Sequence, residues 1–317
     1  MSEPTDLSRR RFLACGALLG LGATLGATPP QALVVRHGRV YLDGRLRELD
    51  LGITAEGRIQ VVPGGLGEVR ELDARGCVVA PGFIDTLADN RHGGMDTFER
   101  FKLSDGVTTA LMLHGGAADV AAYHRQRDRL PHWVNHGVAG KLADIRPRQP
   151  DVPSRLRQAR ACLEAGALAL SYSIEYAPAP YEELLQYARL AATFDRPFFL
   201  HLRHSARDTE LAGVDEAIRL AREGRARVHI DHLHSTGGTW AMPEALARIR
   251  RAWAEGVRVT CCVYPYSTWA TYLSSARFGP GWQRRFGLDY GDLTVVGTGE
   301  RLTEASFQRY RARPDIL

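Results

Sequence analysis

Five side chains in this sequence carry the chemistry worth explaining: Asp89, Glu175, His201, His232 and His234. Each falls at or just beyond the C-terminal end of a short apolar run. Neutral imidazole and carboxylate are suitable donors for zinc or a similar divalent ion. Three such protein ligands leave a coordination position open for water or a carbonyl oxygen. Alone, any of these histidines would read as a hydrogen-bonded core or rim residue. Two of them ending neighbouring strands shift the reading to one divalent ion, Zn2+, held by His201, His232 and a carboxylate from Asp89 or Glu175. His234 is an alternative ligand and His114 a weaker one. Arg203, beside His201, suits a substrate carboxylate or else a salt bridge to a rim acid. Tyr264 and Tyr266 either line a substrate pocket or fill the lumen. His204, His229 and Asp231 are expected to face away, and His37, His92, His124, His132 and His136 lie outside the cluster.

The elements that must position these groups repeat in order. Apolar strand-like runs at 107–114, 137–142, 168–176, 197–204, 227–234 and 257–266 alternate with helix-like stretches at 154–165, 181–194, 214–223 and 243–255. With the opening run VVAPGFID (78–85), read as a buried strand, this makes seven strands of an α/β fold, a parallel (β/α)8-type barrel seen over strands one to seven. Alternation assigns a lumen face to each strand. It comprises Phe83, Asp85, Leu87 and Asp89; then Ala169, Ser171, Ser173 and Glu175; then Phe199, His201 and Arg203. Val228, Ile230, His232 and His234, and finally Thr260, Cys262, Tyr264 and Tyr266, complete it. Each set turns polar at its C-terminal end, where such barrels build their sites.

The composition, 44% hydrophobic and 24% charged, is that of an ordinary globular protein. The formal charge of +5 does not signal nucleic-acid binding. Arg9, Arg10 and Arg11 sit in a leader, and the other arginines are interspersed with acids. No CxxC occurs among Cys15, Cys77, Cys162, Cys261 and Cys262, which excludes a thiolate zinc knuckle. Residues 1–31 read as a twin-arginine signal peptide on SRRRFL (8–13) and the apolar stretch after it, implying a periplasmic or secreted protein. That stretch is shorter than the ~20 residues a spanning helix needs, so stable membrane insertion is not expected. Residues 32–80 read as a small β domain, with hairpin turns at Asp43-Gly44 and Glu56-Gly57, and residues 81–317 as the partial barrel.

Taken in order, APGFID (80–85), DGVTTALMLHGG (105–116), EAGALALSYSIEYAP (164–178), FFLHLRHS (198–205), VHIDHLHSTGG (228–238) and VRVTCCVYPY (257–266) resemble the amidohydrolase superfamily, and within it the N-acyl-D-amino-acid deacylase (D-aminoacylase) group. The resemblance covers roughly 32–300. It implies a metal-dependent barrel beside a β-sandwich made from both chain ends, of which 32–80 would be one half. It also implies hydrolysis of a C–N amide bond in a small N-acyl amino acid. By position, His201 and His232 match the family's metal-ligand histidines of strands five and six.

Three departures accompany it. Leu87 and Asp89 stand where the family's first strand ends in His-x-His. Gly115 stands where the group often has a bridging cysteine. No aspartate in 267–317 follows a suitable apolar strand, so no catalytic base is identified, and the chain is expected to be a C-terminally truncated member. Two further readings stay open: a non-catalytic barrel that binds without chemistry, and a cyclic-amide hydrolase of the dihydroorotase or hydantoinase type. A homo-oligomer is compatible with any of them.

Overall fold

The computed structural model describes residues 31–62, 69–89, 94–264, 266 and 268–317. The twin-arginine stretch lies outside the described residues. The chain divides into two compact units, Met1–Pro81 and Gly82–Leu317.

In the first unit, β1 (Gln31–Leu42) and β2 (Arg45–Thr54) form the expected hairpin. Asp43 and Gly44 both take positive φ, 52° and 74°, the conformation a two-residue turn needs to match strand twist. β3 (Ile59–Val62) extends β2, while β4 (Glu71–Asp73) and β5 (Val78–Val79) pair in parallel with β1. Val78 and Val79 therefore belong to this sheet, and 78–85 is not one buried strand. The Pro-Gly in its middle separates two elements.

The second unit holds seven parallel strands in sequential order. They are β6 (Phe83–Asp85), β7 (Val107–Ala117), β8 (Asn135–Lys141), β9 (Ala169–Ser173), β10 (Phe198–His201), β11 (Val228–Ile230) and β12 (Val259–Cys261). Helices Val152–Glu164, Tyr181–Thr193, Glu210–Gly224 and Met242–Ala254 fall where the apolar periodicity places them. Asp151 caps the first of these, accepting the Ser154 N–H at 2.7 Å. Met95–Ser104 and Val120–Arg127 are further crossover helices. Phe83 is 68% exposed, consistent with an outermost strand rather than a buried one.

Two apolar layers sandwich the sheet. Val138, Leu170, Tyr172, Phe198, Leu200, Val228, Ile230 and Val259 face the helices, meeting Ala159, Leu184, Val214 and Ile249. Leu113, Ala139, Ala169 and Phe199, with Leu87 and Leu111 against them, fill the inner face. Leu87, in a histidine slot by resemblance, thus packs as an apolar plug. After β12, residues 268–317 build a separate aromatic core from Leu273, Phe278, Trp282, Phe286 and Phe307. FGLDYGDLT (286–294) contains a short helical turn, Tyr290–Asp292. Among the described residues, no helix is long and apolar enough to cross a membrane.

Candidate functional site

β10 delivers His201 by simple alternation. Phe198 and Leu200 point to the helices, Phe199 and His201 to the lumen. β11 runs in the opposite phase from that expected. Val228 and Ile230 are in the helix-side core. His229 lies on the inner face, its ring 4.5 Å from that of Phe199 and its Nδ1 2.8 Å from the Thr260 hydroxyl. Asp231 follows His229 inward. His232 would then point outward, but it takes a left-handed conformation, φ 32° and ψ 58°, which breaks the alternation and turns its ring back to His201. Two successive residues, Asp231 and His232, therefore serve the same site.

β7 contributes by a second irregularity. Leu111 and Leu113 face inward while Ala110 and Met112 pack outward, so unbroken alternation would send His114 out. Between Met112↔Val138 and Ala117↔Gly140, five steps on β7 answer two on β8. This bulge re-aims His114, as bulges do. Gly116 has φ 117°, and a Cβ there would drive into the Ala139 carbonyl.

The result is a nest of three imidazoles. Ring centroids lie 4.9 Å apart for His201–His232, 5.0 Å for His114–His232 and 6.1 Å for His114–His201. His201 Nδ1 sits 2.8 Å from His232 Nε2. Its Nε2 donates to Glu175 Oε2 at 2.9 Å, and Glu175 Oε1 accepts from the Ser205 hydroxyl. His114 Nδ1 donates to Asp231 Oδ2 at 2.8 Å. Asp231 is 1% exposed, and its Oδ1 finds no hydrogen-bond partner among the described residues.

Sequence reasoning missed Arg277. It comes from the aromatic C-terminal core, is 5% exposed, stacks on Trp269 and Phe286, donates to the Ser235 carbonyl and brings Nη1 to 3.8 Å from Glu175 Oε2. No periodic pattern in WATYLSSARFGPGW (269–282) could have flagged it, because a single three-residue 3-10 turn, Ala276–Phe278, carries it.

Burial alone would push the Glu175 carboxyl up; the His201 N–H, the Arg277 charge and the Ser205 hydroxyl together hold it below its ordinary value. Burial lowers His201, opposed by Glu175. Burial, then the neighbouring His201 and His114, takes His232 well below the usual range. Both rings are therefore neutral near pH 7, the state in which imidazole binds a metal.

The other expected residues are placed as follows. Glu175 is engaged by His201 and Ser205, as an outer support of the imidazole. Asp89 is exposed, with Oδ1 3.8 Å from where a Cβ on Gly115 would stand. His234 lies in the turn Leu233–Thr236 against Tyr264, ring centroids 3.8 Å apart, with neither ring nitrogen hydrogen-bonded among the described residues. Arg203 is not an open anchor. Glu216 clamps its guanidinium at 2.7–3.1 Å and the Ala179 carbonyl takes a further N–H, so the salt-bridge alternative describes it. Tyr266 is 72% exposed, with its ring 5.6 Å from Tyr264. Burial pushes the Cys262 thiol up to about 11, leaving it a poor nucleophile.

Among the described residues, no group of three or more His, Cys, Asp or Glu side chains is placed so that it could hold a metal ion. The facing nitrogens of His201 and His232 are hydrogen-bonded to each other instead. The donor chemistry still fits a divalent ion: buried neutral imidazoles, an outer carboxylate on His201 and His114, and an orphaned carboxylate oxygen on Asp231.

No protein-family model matches the chain. It is 32% identical over 293 residues to an N-acyl-D-glutamate deacylase of Alcaligenes xylosoxydans xylosoxydans, covering 77% of this chain and 59% of that one. It is 24% identical over 319 residues to a dihydroorotase of Pelobacter propionicus, covering 85% and 69%. Among solved structures, an N-acyl-D-glutamate deacylase from Bordetella bronchiseptica, in complex with zinc and a phosphonate inhibitor, superposes with a TM-score of 0.61 at 27% identity, covering 74% and 59%. A D-aminoacylase matches in fold, TM-score 0.60 at 23% identity. The chain spans about three-fifths of the length of the deacylases it matches. The strand order, the histidines at and just beyond the ends of β10 and β11 and these likenesses together liken the chain to the amidohydrolase superfamily, on its D-aminoacylase-like side.

Proposed function

We propose that the protein is a metal-dependent hydrolase of C–N amide bonds, acting on small N-acyl amino acids, with His201 and His232 holding one divalent ion, zinc by donor type. The observation that carries this reading is the pair of buried, neutral imidazoles on adjacent strand ends. Their facing nitrogens are 2.8 Å apart, and the outer nitrogen of His201 is tied to Glu175. A divalent ion bound there polarises an amide carbonyl and lowers the pKa of water.

The chain's own residues have definite tasks. Glu175 fixes the tautomer of His201, so that Nδ1 presents its lone pair. The His201 N–H, then the Arg277 charge and the Ser205 hydroxyl, hold the Glu175 carboxyl below its ordinary value against the effect of burial. Leu87 and Phe199 pack in the apolar inner layer of the sheet. We assign no general base among the described residues.

The test has two parts. Purified protein is reconstituted with zinc and analysed for metal, and about one equivalent per chain is expected, abolished by His201→Ala with His232→Ala. The loaded protein is then offered N-acetyl-D-glutamate and other N-acyl amino acids of both configurations, and free amine is measured. Zinc-free protein after reconstitution would refute the reading. It would favour a non-catalytic barrel, for which the His201–His232 hydrogen bond is the supporting observation. We further infer periplasmic export, on the Ser-Arg-Arg-Arg-Phe-Leu motif of residues 8–13. Fractionation of cells producing the full chain tests it.

A further inference from the structure

We propose that the buried knot of Glu99, Arg127, His132 and His136 is a proton-operated latch, which closes when both histidines are neutral and opens on mild acidification, freeing helix Met95–Ser104 from the loop that leads into β8. The knot shares no residue with the imidazole nest and is independent of the hydrolase reading.

The latch hangs on one nitrogen. Arg127 ends helix Val120–Arg127 and is 2% exposed. Its Nη2 donates to Glu99 Oε1 and, at 2.8 Å, to His132 Nδ1. Its Nε and Nη1 are buried with no hydrogen-bond partner among the described residues. Glu99, 1% exposed on helix Met95–Ser104, uses its second oxygen to accept the Trp133 N–H at 2.8 Å. One carboxylate thus joins its own helix to the end of the next helix and to the loop before β8. The same helix grips that loop at the surface: Asp96 accepts the Trp133 indole N–H at 2.6 Å, and the Arg100 guanidinium lies 4.1 Å from the ring centre.

Two features keep protons out of the closed knot. A guanidinium only donates, so the bond from Arg127 to His132 needs an unprotonated Nδ1. His136, on β8, has its ring 4.7 Å from that of His132 and 6.4 Å from that of His124, and its Nδ1 is buried and unpaired among the described residues. Burial, then Arg127, His132 and His124 oppose a proton on His136, while Glu99 favours one. Tyr123, with its ring 6.0 Å from that of His136, adds no charge near neutral pH, because burial pushes its hydroxyl up. The folded-state value of His136 is therefore depressed. Its contribution to stability is full above about pH 6.5 and is lost as pH falls through the lowered value. Both Glu99 oxygens are already engaged, so a second cation beside Arg127 meets no free acceptor there.

The released part is lightly held elsewhere. Phe98 packs with Val107 against Ala88, Ala110 and Val134, a small apolar cluster separate from the helix-side core. Phe101 and Leu103 on the same helix are exposed. A segment with so few buried apolar contacts opens ahead of global unfolding. Lys102, 2.5 Å from Asp85, keeps the helix tethered to β6 through a contact that involves no histidine.

Hydrogen exchange of the full chain, read by mass spectrometry at about pH 7.5 and about pH 5.5 and corrected for intrinsic rates, tests the latch; ordinary carboxylates stay ionised at both values, and histidines are the side chains that change. Each histidine that must be neutral for closure, and has an ordinary value near 6.5 once released, shifts the opening equilibrium by up to about tenfold over this interval. Protection in residues 95–104 and 128–136 should therefore fall at least ~10-fold at the lower pH, while helix Glu210–Gly224 in the main core keeps its protection. His132→Gln retains an acceptor for Arg127 and His136→Phe retains a ring, and neither new side chain titrates. Together they should abolish the fall, and each alone should reduce it. Equal wild-type protection at the two pH values, or an equal fall in Glu210–Gly224, would overturn the latch. So would a full wild-type fall in the folded double variant or, should that variant not fold, in both single variants.

Discussion

The Arg277–Glu175 contact ties the aromatic C-terminal core to the histidine nest, and a double-mutant cycle on Arg277→Met and Glu175→Gln measures that tie. At 3.8 Å and an effective dielectric of about 20, two unit charges attract by roughly 4 kcal/mol. Desolvation of a guanidinium that is 5% exposed and of a carboxylate that is 12% exposed consumes about half of that. Arg277→Met also removes two cation–π contacts, to Trp269 at 4.5 Å and Phe286 at 5.0 Å, worth about 1 kcal/mol each. Thioether–aromatic contacts return part of this. A net loss near 3 kcal/mol follows, a fall in Tm of about 6–12 °C for a unit of this size. Glu175→Gln keeps the shape but weakens charge-assisted bonds from His201 and Ser205, for about 2–3 kcal/mol. In the double variant neither orphaned charge remains, so the combined loss falls short of the sum by about 2 kcal/mol. Urea titration followed by near-UV circular dichroism gives all four corners. Additivity within about 0.5 kcal/mol would show that the two side chains do not sense each other.

Three other outcomes follow from the geometry. Gly115→Cys should fold normally, because its Cβ meets only Asp89 Oδ1 at 3.8 Å, whereas Gly116→Ala, with φ 117° and the Ala139 carbonyl in the way, should lower Tm markedly; thermal melts of both check this. Arg203→Ala should cost about 1–2 kcal/mol through loss of its forked contact with Glu216 and leave zinc content unchanged, which denaturation and metal analysis read separately. His136 is held below its ordinary pKa by burial and then by Arg127, so its neutral form stabilises the fold above about pH 6.5. That contribution is lost as pH falls through the lowered folded-state value. His136→Phe should therefore flatten the decline in Tm on acidification, and parallel pH–Tm curves would contradict it.

The barrel was legible because its signals are periodic. Apolar strands end in polar residues, and four helices sit within a few residues of where their spacing puts them. His201 followed from alternation on β10 alone. The phase of β11 did not, because counting back from His232 assumed an unbroken strand. The left-handed turn at His232 resets the pleat, so Asp231 was assigned outward when it lies beside His114. His114 was underrated for a parallel reason: a bulge changes which face a residue occupies, and only the glycine pair 115–116 hints at it. Arg203 continued the inner series on paper, but β10 ends at His201 and the residues after it obey no alternation. Arg277 was beyond reach, since it arrives on a single short 3-10 turn through tertiary packing.

The left-handed step at His232 makes one imidazole of the nest and the carboxylate that holds another, His114, consecutive in the polypeptide. The pentapeptide Ile-Asp-His-Leu-His (230–234) is thus a portable cassette. Grafted onto the end of another parallel strand, it would bring both parts together, whereas a strictly alternating strand would have to gather them from two separate places in the chain.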